Sequence, residues 1–172
     1  VSVEAAIPWR GVSQTEAVQL CARVGKRLPQ SEEWFRAVSG SGDIDQCVLN
    51  SDEVQETGSA WCTAPVGAHD LVGNVWEWVS GEVVDGSFVG RPLPEEGYVA
   101  AIDEAGMVRE TASESVASFG DDYAWTRASG TMAIMRGGFY GSGTDGGIYI
   151  VNAAVPNTFR TTAIGFRCAL DI

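Results

Sequence analysis

The chain has 172 residues, 45% hydrophobic and 20% charged, with 11 Lys and Arg against 23 Asp and Glu and a single His. This composition is globular and of one-domain size. A formal charge of −12 argues against nucleic acid and anionic membranes as partners, since both recruit cationic surfaces. No apolar run approaches the ~18 residues of a membrane span, no secretory leader is visible after Val1, and His69 alone cannot make a His-rich metal centre.

In chain order, Ser13-Gln14-Thr15-Glu16 has the form of a capping box, in which hydroxyl and carboxylate satisfy orphan amides reciprocally. Ala17, Leu20, Cys21 and Val24 follow at helical spacing up to Gly25, which predicts a helix over 14–24. A second short helix from Ser31 would bury Trp34, Phe35 and Val38 before a Ser-Gly repeat ends it. Residues 43–68 read as irregular and polar. Alternation from Val75 to Val79 predicts a strand with Trp76 and Trp78 on one face and Glu77 on the other. Residues 80–131 form a long Gly- and acid-rich stretch, strand-like only at Tyr98–Ile102 and Tyr123–Trp125, which reads as a functional insertion. The last strand candidates are Met132–Met135, Ile148–Val151 and Ile164–Leu170. The sum is one α+β domain over 1–172, with two short helices, short antiparallel strands and much irregular structure. Cys21, Cys47, Cys62 and Cys168 show no CxxC spacing; disulfides in any of three pairings and free buried thiols all remain open.

The residues from 136 to 167 use a restricted alphabet. Glu, Gln, Lys, Met and Trp number 13, 5, 1, 3 and 6 in the chain, and none falls in these 32 positions. At the density of the other 140 residues about six would fall there. A flexible linker can be biased in this way, but it would not carry Phe139, Tyr140, Ile148, Tyr149, Ile150 and Phe159.

Four blocks carry a resemblance: GVSQTEAVQLCARVGKRLPQSEEW (11–34), APVGAHDLVGNVWEWVSG (64–81), RGG (136–138) and GFRCAL (165–170). In order and rough spacing they resemble the formylglycine-generating-enzyme type of C-type lectin fold. In the sulfatase-modifying members two cysteines soon after Arg-Gly-Gly bind copper and activate oxygen. The corresponding stretch here, 139–145, has no cysteine, and hydroxyls do not replace thiolates as soft ligands. The histidine-rich extra domain of the related iron-dependent sulfoxide synthases has no counterpart either. The resemblance therefore implies a scaffold without the enzyme's reactive groups.

The chain also resembles the variable proteins of diversity-generating retroelements, which have this fold and a variable region closing with Gly-Phe-Arg. Mutagenesis at adenines of AAY codons in that group reaches every residue type except Glu, Gln, Lys, Met and Trp, the five absent from 136–167. This implies a non-catalytic, hypervariable binding protein, displayed on a cell or virion surface and monomeric, with a protein or other macromolecule as ligand and no obligatory cofactor. An oxidase of the formylglycine-generating class and a fixed-specificity carbohydrate-binding lectin are the alternatives.

A surface that accepts many side chains cannot belong to the core, where substitutions cost kcal/mol. Trp76, Trp78, Arg136 and Phe166 would then form a fixed frame. The expected binding positions are Phe139, Tyr140, Ser142, Thr144, Asp145, Tyr149, Asn152, Ala153, Asn157, Phe159, Arg160, Thr161, Thr162 and Ala163. Tyr140, Tyr149 and Phe159 would be exposed anchors, and Ile148 and Ile150 would face inward. The resemblance further implies a structural calcium at Asp70, Glu77 and the carbonyls of Gly73 and Val75, a donor set suited to a hard cation; Glu77 bonded to backbone is the plain alternative. Asp121-Asp122 reads as a solvated turn before a second metal. A Cys21–Cys168 bridge is implied as in family members, and Cys47–Cys62 is the second pair expected.

Overall fold

The computed structural model describes residues 4–41 and 44–171. Helices α1 (Gln14–Ala22) and α2 (Ser31–Val38) precede strands β1 (Trp76–Val84), β2 (Ser87–Phe88), β3 (Arg91–Pro92), β4 (Gly97–Ile102), β5 (Val108–Ala112), β6 (Tyr123–Thr126), β7 (Thr131–Arg136), β8 (Val151–Val155) and β9 (Ile164–Phe166). They make one mixed sheet in the order β3-β2-β1-β7-β8-β6-β4-β5, and β9 runs parallel to the start of β1.

The capping box sets where α1 begins. Ser13 Oγ accepts from the Glu16 amide at 3.3 Å, and Glu16 Oε2 accepts from the Ser13 amide at 2.8 Å. The helix ends at Ala22, short of the predicted 24, so Val24 is exposed and the buried stripe is Ala17 and Cys21. In α2, Trp34 and Val38 are buried while Phe35 is half-buried. The first strand continues past the predicted Val79 to Val84 through a bulge between Val79 and Glu82. Gln14 fills that bulge by donating its amide to the carbonyls of Val79 (2.7 Å) and Gly81 (3.2 Å), which ties α1 to β1.

The sheet has a core on each face. With α2 pack Trp34, Val38, Val79, Val83, Ile134, Val151 and Ala153. With α1 pack Ala17, Cys21, Trp76, Trp78, Met135 and Ile164. Glu77 therefore lies opposite the two tryptophans as expected, yet both sides of the strand start are buried.

The largest departure from expectation lies in 80–131. This stretch holds the end of β1 and all of β2 to β6, half of the sheet itself. Its strands are only 2 to 6 residues long, too short for a clear period. The strand expected at 148–151 instead begins at Val151, because the Tyr149 amide is drawn to the Asp122 carboxylate at 2.6 Å. Cys21–Cys168 and Cys47–Cys62 are both disulfides, separated by 147 and 15 residues. Loop entropy alone assigns them about 5 and about 3 kcal/mol.

Candidate functional site

The late surface starts from a buried cation. Arg136, at the end of β7, is wholly buried, with its guanidinium 5.0 Å from the Trp34 ring centre and 5.9 Å from that of Phe35. Its Nη1 donates to the Gly106 carbonyl at 3.0 Å. Burial brings its pKa down to about 10, so it stays charged at neutral pH. Asp122 is the nearby counter-charge, and burial pushes its carboxyl up to about 7. It is therefore no solvated turn: its Oδ2 accepts from the Tyr149 amide and its Oδ1 is a buried oxygen without a hydrogen-bond partner.

Two glycines fix how the chain leaves this point. Gly137 sits at φ +89°, and a Cβ there would fall 2.3 Å from the Leu71 carbonyl. At Gly147 a Cβ would fall 2.2 Å from Asp122 Oδ1. These positions belong to the frame although they lie inside 136–167.

Arg167 closes the region on the same face. Its Nε donates to Glu77 Oε1 and Oε2 at 2.8 and 2.7 Å, its Nη2 makes a further contact with Glu77 Oε1, and Nη2 also donates to the His69 carbonyl at 3.0 Å. Trp34 Nε1 donates to Glu77 Oε2 at 2.8 Å. Both Glu77 oxygens are thus held by protein donors, so Glu77 does not fit the predicted calcium set as a free ligand. Asp70 does: it is buried, its Oδ2 accepts from the Gly58 amide at 2.8 Å, and its Oδ1 is a buried oxygen without a hydrogen-bond partner. Burial raises its pKa. Among the described residues no three His, Cys, Asp or Glu side chains converge on a metal position.

Apart from Asn152 and Ala153, which lie on β8 itself, the expected binding positions fall into two lobes at its opposite ends. The first, 139–149, lies across the 48–51 strip: Tyr140 N donates to the Asn74 carbonyl (3.0 Å), Ser51 N to Tyr140 O (2.8 Å) and Gly143 N to Leu49 O (2.9 Å). Phe139 and Tyr140 meet edge to face at 5.1 Å and are both half-buried, so Tyr140 is not the fully exposed anchor expected; Thr144 is exposed and Asp145 half-buried. The Ser142 hydroxyl accepts from the Phe139 amide at 2.9 Å and so shapes the turn. The second lobe, 156–163, presents Thr158, Phe159, Arg160, Thr161 and Thr162 to solvent. Its side chains reach α1 and β1 through polar contacts, Arg160 to Glu16 and Asn157 Nδ2 to Glu82 Oε1, each 3.1 Å, and its backbone accepts from Thr15 N at Asn157 O (3.3 Å) and from Trp76 N at Ala163 O (2.9 Å). Ala163, half-buried, leads into β9.

Two further expectations are corrected. Ala153 is fully buried in the α2-side core, because inward and outward positions alternate along β8 and its side chain takes the inward one. Tyr149 is no exposed anchor: its ring packs on Phe119 (5.2 Å) and Phe35 (6.1 Å), because the Asp122 bond to its amide turns it inward. Ile150 does face inward, while Ile148 is half-buried.

Sequence reading missed the neighbour of the first lobe. Trp125 pairs in register with Asn152, and Tyr123 with Tyr98. The alternate residues Val99, Ala124 and Val151 are buried on the opposite face. Tyr98, Tyr123 and Trp125 thus stand on the α1 side of the sheet, half-buried, beyond the strands that α1 covers. Three aromatics in two short runs of period two were the available signal.

The arrangement is a C-type lectin-like scaffold: two helices on a mixed sheet, a buried Arg and an Arg–Glu pair bracketing a late loop surface. The profile of the sulfatase-modifying factor enzyme 1-like domain matches residues 50–172, well over half of the chain, and the chain belongs to that family. Among curated proteins no sequence matches it. Among solved structures it is similar to the Major Tropism Determinant U1 variant (TM-score 0.60, 16% identity, 99% of this chain and 44% of that one) and the P3c variant (TM-score 0.58, 18% identity, 91% and 36%). The chain thus spans under half the length of those proteins, and at such identity the likeness is one of fold.

Proposed function

We propose that this domain is a non-catalytic, hypervariable ligand-binding module, diversified by retroelement mutagenesis within 139–163. One observation carries the reading. The stretch without Glu, Gln, Lys, Met or Trp is also the stretch whose side chains in 156–162 stand in solvent or half in it, while its buried side chains, Arg136, Ile150, Val151, Ala153 and Ile164, sit on or beside the strands. A frame held by Arg136, Glu77 and Arg167 supports substitution above it without loss of fold. The fold shared with proteins called tropism determinants agrees with a receptor-binding role on a virion or cell surface. Non-catalytic function is supported by the cysteines: all four are in disulfides, and none lies between Arg136 and Arg167. No helix among the described residues is long and apolar enough to cross a membrane.

Sequencing of sibling alleles tests the proposal. Variation should concentrate at Tyr140, Thr144, Asp145, Asn152 and 157–162, spare Gly137, Gly147 and Ala153, and be matched by an adenine-rich template copy beside a reverse transcriptase gene. Uniform alleles without such a copy would overturn it. A structural calcium at Asp70 Oδ1, with the Gly73 and Val75 carbonyls, is a separate proposal, supported by that orphaned buried oxygen. Calcium should raise Tm over EGTA in the wild type and not in Asp70→Asn; an equal Tm removes the site.

A further inference from the structure

The aromatic shelf beside the first lobe is anchored to the core only at Trp125, which packs against the α1-side cluster. Tyr98 and Tyr123 meet edge to face at 5.2 Å, Tyr123 and Trp125 lie 4.9 Å apart, and Trp125 stands edge-on to Trp76 at 5.9 Å. The row therefore runs from the outer part of the sheet to the buried tryptophan frame. Its strand neighbour is Asn152, one of the late positions. All three shelf residues come from 80–131, outside the restricted-alphabet stretch.

Carboxylates flank the shelf. Glu96 directly precedes Gly97, the partner of Ala124, and so lies beside Tyr98 on the side toward Trp125, and burial, then Glu96, Tyr98 and Asp145, raise the pKa of the Tyr123 hydroxyl. Glu96 is exposed and Asp145 half-buried. Arg127 is turned onto the Ala154 carbonyl, its Nε donating at 3.0 Å. Aromatic faces flanked by carboxylates attract a cation, and guanidinium more than ammonium because it stacks. A neutral sugar would use the rings without needing the carboxylates.

We propose that Tyr98, Tyr123 and Trp125 form a constant half of the binding face, which takes an arginine side chain of a protein ligand over the rings with Glu96 and Asp145 as its counter-charges. This rests on the reading of 139–163 as the other, changeable half. The constant shelf would supply a common affinity, and the lobes would choose among ligands presenting a basic side chain there. Glu96 comes from outside the diversified stretch, so part of the acidic flank persists when Asp145 changes.

The test follows indole and tyrosine ring signals by NMR, with Trp125 assigned through Trp125→Phe. The probes are acetyl-GRGRG-amide, its glutamate counterpart acetyl-GEGEG-amide, and maltohexaose. The arginine peptide should shift Trp125 and Tyr123, with affinity falling about tenfold in Tyr123→Ala and severalfold in Glu96→Gln and at high salt. Tyr123→Phe should bind nearly as wild type, and an unchanged amide spectrum for Tyr123→Ala excludes loss of fold. Shifts with maltohexaose alone would make the shelf a sugar site and overturn the proposal. Equal shifts with both peptides, or none, would overturn it as well. Either result leaves the allele test untouched, and uniform alleles with an intact arginine response would sink only the diversification reading.

Discussion

The two lobes of the late surface are held by different means. Residues 139–149 are laid down by backbone hydrogen bonds to 48–51 and Asn74, by Gly137 and Gly147 against immovable neighbours, and by Asp122 at Tyr149. Residues 156–163 are held by fewer backbone bonds, at Asn157 O and Ala163 O near their two ends, and otherwise touch the body through exposed polar side chains, Arg160 with Glu16 and Asn157 with Glu82. Length and polarity do not distinguish them; the density of fixed contacts does. The first lobe should tolerate change only at the tips of its side chains, whereas the second should tolerate it nearly everywhere.

The strongest way to break that contrast is to loosen the frame beneath both lobes. Replacing Cys21 and Cys168 by Ser opens a loop of 147 residues and should cost about 5 kcal/mol. Chemical denaturation of the oxidised and double-Ser proteins measures it, and both lobes should lose amide protection together. If only the second lobe did so, the bridge would serve that lobe alone. Glu77→Gln comes next. It leaves Arg167 facing a neutral partner in a site where Glu77 is buried, and should cost about 3 kcal/mol in the same assay.

Gly147→Ala sharpens the comparison, because it acts on one lobe. The added methyl meets the Asp122 carboxylate, which is itself held by the Tyr149 amide, so neither partner moves freely. A loss of about 2 kcal/mol is expected, with hydrogen exchange rising in 139–149 and unchanged in 156–163.

Much of this frame was legible in the sequence. The capping box at Ser13, the buried stripe through Cys21, the Trp76–Trp78 strand and the Arg-bracketed late region all carry strong local signals. Three things were not legible, each for a physical reason. Residues 80–131 hide half of the sheet, because strands such as β2 and β3 have two residues each and pair through neighbours distant in sequence. Tyr149 looked like a surface aromatic because the carboxylate that turns it inward belongs to Asp122, 27 residues earlier. Ala153 looked changeable because a restricted alphabet marks a stretch, whereas the pleat of β8 decides residue by residue which side chains reach water.

Asp122 gives a pH test of how the first lobe is held. Burial raises its folded pKa to about 7, above the ordinary value near ~3.9 of an unfolded chain. Between those values the folded protein keeps a proton that the unfolded chain has released. This group's contribution to stability therefore falls as pH rises from about 4 to about 7 and is level outside that window. Asp122→Asn should remove that part of the slope in a Tm-against-pH series. An unaltered slope would mean that Asp122 is ionised throughout, as a plain counter-ion of Arg136.

The smallest expected effect is the most telling for the second lobe. Arg160 and Glu16 form an exposed ion pair, and Glu16 keeps its bonds to Ser13 without it. Such pairs contribute little, because solvent screens them and both side chains lose freedom in making them. Arg160→Ala, Thr158→Ala and Thr162→Ser should each stay within about 0.5 kcal/mol, a Tm change of no more than ~2 °C for a chain of this size. Calorimetry of the three variants measures this directly. A drop several times larger for Arg160→Ala would show that the lobe helps to hold α1 in place, and a lobe that carries the fold in that way is not free to be rewritten.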